Sequence, residues 1–405
     1  MRCGLLGKTL AHSYSPQIHA QLADYSYELF ERGEDEIAEL LKKADGLNVT
    51  IPYKQTVMPY LDELSDTAKG IGSVNTIVKR ADGTLFGDNT DIYGFKYLLK
   101  RADIGVKNKR AIVLGSGGTS KTAVYALKEL GAADVAVISR SGEDNYDNIS
   151  RHADADVVVN TTPVGMFPNN GCAAVDLSIF TKLSGVADVI YNPSKTALIL
   201  QAERMGIPCT GGLPMLVAQA KRSAELFTDS SIDDGEIERI TRVLERRMKN
   251  IVLIGMPGSG KSTVGAALSR RLNRPFTDAD AFIEEKSGMS IPEIFDREGE
   301  EGFRKRETAA LSEILKRSGE IVATGGGAVT REENFDIIRQ NSVVFWIERD
   351  LEKLAKDGRP LSLKTSAQEM FERRRALYGR FCDYEISNDG ALQDAVNEVI
   401  GRMDT

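Results

Sequence analysis

Two short apolar runs in this chain end in glycine-rich turns, and each turn opens a helical pattern. The first is Ala111-Ile112-Val113-Leu114, leading into Gly115-Ser116-Gly117-Gly118. The second is Ile251-Val252-Leu253-Ile254, leading into Gly255-Met256-Pro257-Gly258-Ser259-Gly260-Lys261-Ser262. A strand, a tight glycine turn and a helix N-terminus are the opening of a parallel α/β nucleotide-binding unit, so the chain must accommodate two of them. Its 405 residues allow this, since an ordinary domain takes about 150. The remaining sequence alternates short apolar runs with amphipathic stretches in the same manner.

Acidic residues number 59 and basic residues 52, a formal charge of −7. That balance lacks the positive field of a nucleic-acid binder, so the basic residues are better read as local clamps for small anions. Cys3, Cys172, Cys209 and Cys382 are far apart and form no C-x-x-C pair. The pattern excludes a disulfide framework, argues against a cysteine-held zinc ion and fits a reducing cytoplasm. No run of about 18 apolar residues is present to span a bilayer, and Met1-Arg2-Cys3-Gly4 lacks the apolar core of a signal peptide. The implied partners are small-molecule substrates, with no nucleic acid and no membrane. Oligomeric state is not legible.

Between the two units, Ile237, Ile240, Leu244 and Met248 fall on one helical face. Asp233 with Glu236 suits a capping pair, and Arg246, Arg247 and Lys249 suit the helix C-terminus. The join is therefore predicted to be a helix running into the second unit's first strand, with none of the Gly, Ser or Pro enrichment of a flexible linker.

Gly255 to Ser262 satisfies G-x-x-x-x-G-K-[ST] between a strand and a helix. Such a loop wraps phosphates with backbone N–H groups, here around Gly258, Ser259, Gly260 and the following Thr263; Lys261 can reach the β- and γ-phosphates and Ser262 can hold Mg²⁺. Asp278 and Asp280 follow the strand-like Pro275-Phe276-Thr277; residues two apart at a strand end point to one side, one toward a metal shell and one toward a substrate hydroxyl. Arg304 lies in the charged run Glu300–Glu307, which on its own reads as a solvated face. Gly325-Gly326-Gly327 follows the apolar Ile321-Val322-Ala323 and would let a ligand approach the backbone. Arg359-Pro360 sits in a polar stretch suited to a lid, and Arg373-Arg374-Arg375 precedes Tyr378.

In order, GMPGSGKST, FTDAD, EGFRKRE, ATGGGAV, GRPL and RRALY make residues 250–405 resemble shikimate kinase. The resemblance implies that Asp278 is tied to Mg²⁺ and that Asp280 binds and activates the shikimate hydroxyl. It implies that Arg304 and Arg374 grip the carboxylate, that Gly326 and Gly327 meet the ring, and that Arg359 neutralises the transferred phosphoryl group. The family's R-x-P-L-Y run stands here without its proline, which leaves Arg375 a rival to Arg374.

Ahead of the first glycine turn, Asn48-Val49-Thr50-Ile51-Pro52-Tyr53-Lys54 reads as an extended run ending in a lysine, and Gly87-Asp88-Asn89-Thr90-Asp91 places an acid near a helix start. A lysine with an aspartate can deliver the proton that carbonyl reduction needs. After the second strand of the glycine-turn unit the chain reads Ser139-Arg140-Ser141, where an NAD site usually has a carboxylate. An arginine between hydroxyls favours the 2′-phosphate of NADP.

Together with HSYSP, SVNT, NTTPVGM and GLPMLVAQ, these runs make residues 1–249 resemble shikimate dehydrogenase. The resemblance implies a Lys54–Asp91 catalytic pair, carboxylate contacts from Ser13 and Ser15, and ring-hydroxyl contacts from Thr50, Asn75 and Gln219. It places the cofactor against Gly115, Ser116, Gly117, Gly118, Ser139, Arg140 and Ser141, with Thr161, Met166, Tyr191 and Met215 on the nicotinamide side. The expected architecture is α/β throughout. A substrate lobe of about 1–90, with returning helices of about 213–249, joins a Rossmann NADP-binding part of about 91–212. A P-loop NTPase-type parallel domain follows over 250–405. The expected cofactors are NADP(H), ATP and Mg²⁺. The expected activities are reduction of 3-dehydroshikimate and phosphorylation of shikimate.

Overall fold

The computed structural model describes residues 1–10, 13–354 and 366–404. By contact density the chain divides into two compact units, the first comprising 1–166, 172–191 and 198–244, the second 167–171, 192–197 and 245–405.

The first unit holds two sheets. One is built from β1 (Arg2–Gly7), β2 (Ser26–Glu31), β3 (Gly46–Val49), β4 (Glu63–Leu64), β5 (Thr76–Lys79) and β6 (Leu85–Asp88), in the order β2-β1-β3-β5-β6-β4. Its β1 pairs in parallel with β2 and β3, whereas β5 runs antiparallel to β3 and β6. The helices of this lobe are α1 (Ser15–Leu22), α2 (Ile37–Lys43) and α3 (Asp66–Ile71), followed by α4 (Asp91–Arg101). The run from Asn48 is not extended as far as Lys54. It leaves the sheet after Val49 and turns, with Tyr53 N–H donating to the Thr50 carbonyl, because a proline at 52 cannot supply a ladder donor.

The second sheet contains β7 (Arg110–Leu114), β8 (Asp134–Ile138), β9 (Val157–Asn160), β10 (Gly185–Asp188) and β11 (Cys209–Thr210), in the order β11-β10-β9-β7-β8. Every pairing is parallel. Ala111 to Leu114 are fully buried, as expected of a strand covered on both faces, which must be apolar without alternation. The chain runs from β7 through α5 (Gly118–Glu129) to β8, then crosses back past β7 to β9. That reversal opens a crevice at the carboxyl end of β7, where the glycine turn lies. The unit continues with α6 (Ala197–Arg204), α7 (Leu213–Thr228) and the start of α8 (Gly235–Met248).

Helix α8 is amphipathic as its pattern predicts: Ile237, Ile240, Leu244 and Met248 are buried. Its cap differs in one respect. Asp233 accepts from Gly235 N–H at 2.8 Å, but Glu236 turns away to Arg239. The units divide within this helix, between Leu244 and Glu245.

The second unit is a five-stranded parallel sheet of β12 (Asn250–Ile254), β13 (Phe276–Asp278), β14 (Ile321–Ala323), β15 (Ser342–Glu348) and β16 (Tyr384–Ser387), ordered β13-β14-β12-β15-β16. Helices α9 (Lys261–Leu272), α10 (Ala279–Ser287), α11 (Ile291–Ile314), α12 (Glu333–Arg339), α13 (Ala367–Phe381) and α14 (Leu392–Asp404) complete it. Central β12 is wholly buried and fixes the loop that follows it.

Candidate active sites

In the first unit, Lys54 from the turn after β3 meets Asp91, the first residue of α4, with Nζ 2.5 Å from Oδ2. Both side chains are largely but not wholly covered, at 19% and 12% exposure, so the pair can still face a ligand. Asn75 donates to Asp91 Oδ1 at 2.8 Å and approaches Gln219 Oε1 at 3.5 Å. These four residues come from separate elements, and the fold brings them to one place.

Beneath them lies a polar network that the sequence does not announce. Ser223 on α7 is fully buried, and its Oγ accepts from Asn48 Nδ2 at 2.8 Å and lies 2.8 and 2.9 Å from the hydroxyls of Thr76 and Thr90. Thr90 N–H in turn donates to Asn75 Oδ1 at 2.7 Å, which fixes which way the Asn75 amide faces. Buried polar groups of this kind must be satisfied, and here each bond also orients the residue above it. The available signal was the four-residue spacing of Gln219 and Ser223, one helical turn apart.

Ser13 Oγ accepts from Ser15 N–H at 3.2 Å, and Ser15 is buried at the start of α1. Tyr14 packs edge-on against Tyr191, with ring centroids 6.0 Å apart; burial raises the Tyr191 phenol above its ordinary pKa. Thr50 is half-buried beside Gly7. Thr161 secures the glycine turn, its hydroxyl donating to the Leu114 carbonyl at 2.7 Å. Met215 is buried and Met166 exposed. Arg140 is exposed just after β8 and makes no hydrogen bond or ion pair with the described residues. The nearby acid, Asp144, is engaged with His152, 2.9 Å from Nε2. Ser116, Gly117 and Gly118 are likewise exposed, and α5 begins at Gly118, so backbone donors and a cationic side chain are available to a dinucleotide.

In the second unit, Gly258 and Gly260 adopt φ of +87° and +94°, a region that side chains disfavour; the loop can curl only with glycine there. Lys261 is buried and donates to the carbonyls of Gly255 and Met256 at 3.1 and 3.0 Å. Ser262 Oγ donates to Asp278 Oδ2 at 2.5 Å. Asp278 and Asp280 do not alternate along a strand. Asp278 ends β13 and caps α10, accepting from Asp280 N–H at 3.0 Å, while Asp280 stands in the first helical turn. The cap and the functional position coincide at Asp278.

Nor is the Glu300–Glu307 run simply a solvated face. Arg304 and Glu307 are buried and paired at 2.6 Å between Nη1 and Oε2. A Cβ at Gly325 would collide with Glu307 Oε1 and stand 2.8 Å from Asp280 Oδ1, and one at Gly327 would collide with the Arg304 guanidinium. Glycines at 325 and 327 are therefore what let two carboxyls and an arginine converge. Asp280 Oδ1 and Glu307 Oε1 are buried without hydrogen-bond partners. Burial, then the neighbouring Glu307 and Asp278, raises the Asp280 carboxyl to about 6, against the pull of Lys261 and Arg304. Burial also raises Glu307. Glu307 was missed in sequence although its three-residue spacing from Arg304 is that of a helix ion pair. Arg374 is buried and donates to the Gly326 carbonyl at 3.0 Å, whereas Arg375 is exposed over Phe371. The Tyr378 hydroxyl donates to the same carbonyl at 2.5 Å. Arg359 lies outside the described residues.

Comparison with known proteins matches both units. The family model described as shikimate dehydrogenase substrate binding domain matches residues 5–77, and that described as shikimate kinase matches 257–404. A shikimate dehydrogenase (NADP(+)) of Clostridium beijerinckii is 35% identical over 268 residues, spanning 61% of this chain and 98% of its own length. One from Caldicellulosiruptor bescii is 36% identical over 257 residues, covering 56% and 88%. Among solved structures, a chorismate mutase/shikimate 5-dehydrogenase fusion protein from Clostridium acetobutylicum is 38% identical, with a TM-score of 0.58 over 60% of this chain and 96% of that one. Shikimate 5-dehydrogenase from Thermus thermophilus, in complex with NADP(H) and shikimate, is 30% identical, with a TM-score of 0.55 over 60% and 99%. The chain belongs to the shikimate dehydrogenase family, and behind that part it carries a domain of the shikimate kinase family.

Proposed function

We propose that residues 1–249 reduce 3-dehydroshikimate to shikimate with NADPH, and that residues 250–405 transfer the γ-phosphoryl group of ATP to the 3-hydroxyl of that shikimate. What carries the reading is that, in each unit, groups the chemistry requires but the sequence separates are brought together: Lys54 and Asn75 both bond Asp91 in the first, and in the second Arg304 pairs with Glu307 while Asp280 and Glu307 both line Gly325.

In the first reaction Lys54 hydrogen-bonds the substrate carbonyl oxygen and gives it a proton as the C–O bond is reduced. Asp91 keeps the lysine aimed. Asn75, Gln219 and Thr50 hold ring hydroxyls, and Ser13 and Ser15 hold the carboxylate. NADPH, when bound at the glycine turn with its 2′-phosphate on Arg140, Ser139 and Ser141, supplies the hydride.

In the second, Arg304 and Arg374 grip the shikimate carboxylate, and Asp280 accepts the proton of the 3-hydroxyl as that oxygen bonds to the γ-phosphorus and ADP departs. Lys261 and Arg359 offset charge on the phosphoryl oxygens. Among the described residues no group of three or more His, Cys, Asp or Glu could cage a metal. The Ser262 hydroxyl and Asp278 carboxylate nevertheless suit Mg²⁺, which takes few protein ligands and completes its shell with water and phosphate. When bound, it would neutralise charge between the phosphates.

No helix among the described residues is long and apolar enough to cross a membrane. The cysteines are free, which supports a reducing, cytoplasmic setting. The test is a coupled assay on the full chain. 3-Dehydroshikimate with NADPH should yield shikimate, and addition of ATP with Mg²⁺ should convert it to shikimate 3-phosphate. Failure of either step removes the activity assigned to that unit.

A further inference from the structure

Arg349 is the first residue after β15, the strand beside β12. It therefore emerges at the carboxyl edge of the parallel sheet, where ligands of such sheets bind. Its guanidinium faces the phosphate loop: a Cβ built on Gly260 would lie 3.9 Å from Arg349 Nη1. The side chain is half-buried, and its Nε is fully buried with no hydrogen-bond partner. No carboxylate pairs with it; among the described residues Arg349 takes part in no ion pair or hydrogen bond. That sets it apart from the buried arginines of this unit, Arg304 and Arg374, which bond Glu307 and the Gly326 carbonyl.

A guanidinium cannot shed its charge, and partial burial without an anion is costly. The usual remedy is a carboxylate, and the loop beside it supplies none. Asn388, just beyond β16, reaches the same spot, its Nδ2 donating to the Ser259 carbonyl at 2.7 Å. That bond occupies the Ser259 carbonyl, and Arg349 Nη1 stands beside Gly260 of the same loop. Asp280, Arg304 and the Gly325–Gly327 turn belong to the β13–β14 side of β12, whereas Arg349 and Asn388 approach from the β15–β16 side. The two flanks of the loop thus carry different tasks.

We propose that Arg349 is a nucleotide-binding residue that pairs with the α- or β-phosphate of ATP and ADP, on the flank of the loop away from the phosphoryl acceptor. It works as a cation held at the end of a sheet strand, independent of Arg359. The inference rests on the kinase reading of this unit and deepens it.

The test measures binding to the full chain without turnover, by titration calorimetry with MgADP, with inorganic pyrophosphate and, separately, with shikimate. Arg349→Met keeps the apolar stem and removes only the charge. It should weaken both MgADP and pyrophosphate about 10- to 100-fold, the range for a hydrogen bond to a charged group. Shikimate should still bind at two sites per chain, one in each unit, with parent affinities, and retention of the second site shows that the kinase unit is folded. Arg349→Lys should recover part of the loss. Unchanged MgADP affinity in Arg349→Met overturns the inference, as does weakening confined to MgADP with pyrophosphate unaffected, which would move the arginine to the base. Absence of MgADP binding in the parent chain would instead remove the kinase reading itself.

Discussion

Asn75 donates from Nδ2 to Asp91 Oδ1 at 2.8 Å, on the carboxylate oxygen that Lys54 does not use. Asp91 is thus held at both oxygens and cannot rotate away from the lysine. Lys54→Ala in the full chain should lower NADPH oxidation about 10²–10⁴-fold, the worth of a positioned acid, while phosphorylation of shikimate stays within a few-fold. NADPH oxidation near the parent rate would remove Lys54 from the chemistry.

Cofactor choice should depend on Arg140, which has no protein partner to lose among the described residues. Arg140→Ala should raise the KM for NADPH about 10- to 100-fold and leave that for NADH within about twofold, since only NADPH offers a charged 2′-phosphate. Equal effects on the two cofactors would assign Arg140 a structural part.

Asp280, with its carboxyl raised to about 6 from an ordinary 3.8, ties activity to stability. The folded state holds this proton more tightly than the unfolded chain does. The resulting stability is complete below about pH 4 and is lost as pH rises through about 6. Phosphorylation has the opposite slope, because only the ionised carboxylate accepts a proton. Asp280→Asn should therefore cost about 10²–10⁴-fold in kinase rate yet stabilise the kinase unit at pH 8 by on the order of 1–3 kcal/mol. That gain should shrink by pH 5. Calorimetric melting of parent and variant at both pH values checks it; a gain that does not change with pH would show that Asp280 does not titrate in this range.

The carboxylate clamp gives a comparison between neighbours in sequence. Arg374→Ala should raise the shikimate KM strongly, since truncating one side of a buried charge pair costs about 2–5 kcal/mol. Arg375→Ala, on an exposed arginine, should be near neutral, and Arg304→Ala should act like Arg374→Ala. Steady-state kinetics with shikimate varied and ATP saturating decides; a large effect at Arg375 alone would reverse the register.

Much of this was legible because strand–glycine–helix junctions and apolar strands obey local rules. The runs before Gly115 and Gly255 form β7 and β12, each the first strand of its parallel sheet as their patterns predict, and α8 buries the four residues its periodicity names. What local rules could not show was the result of convergence. Ser223 is an ordinary helix serine until Asn48, Thr76 and Thr90 close around it. Glu307 looks like surface charge until Gly325 admits it. Asp280 is carried by a helix turn and not by the strand alternation that its two-residue spacing from Asp278 suggests.

Lys261 rests on its own loop, donating to the Gly255 and Met256 carbonyls. Nucleotide arrival is then an exchange of partners and not the capture of an idle cation. The ammonium trades carbonyl oxygens for phosphate oxygens, and it can trade back. The resting contacts lower the net gain from phosphate, which limits affinity, but they also give the lysine somewhere to return as ADP leaves. A loop that carries its own stand-in for the ligand favours turnover over retention, which suits an enzyme that must discharge product in every cycle.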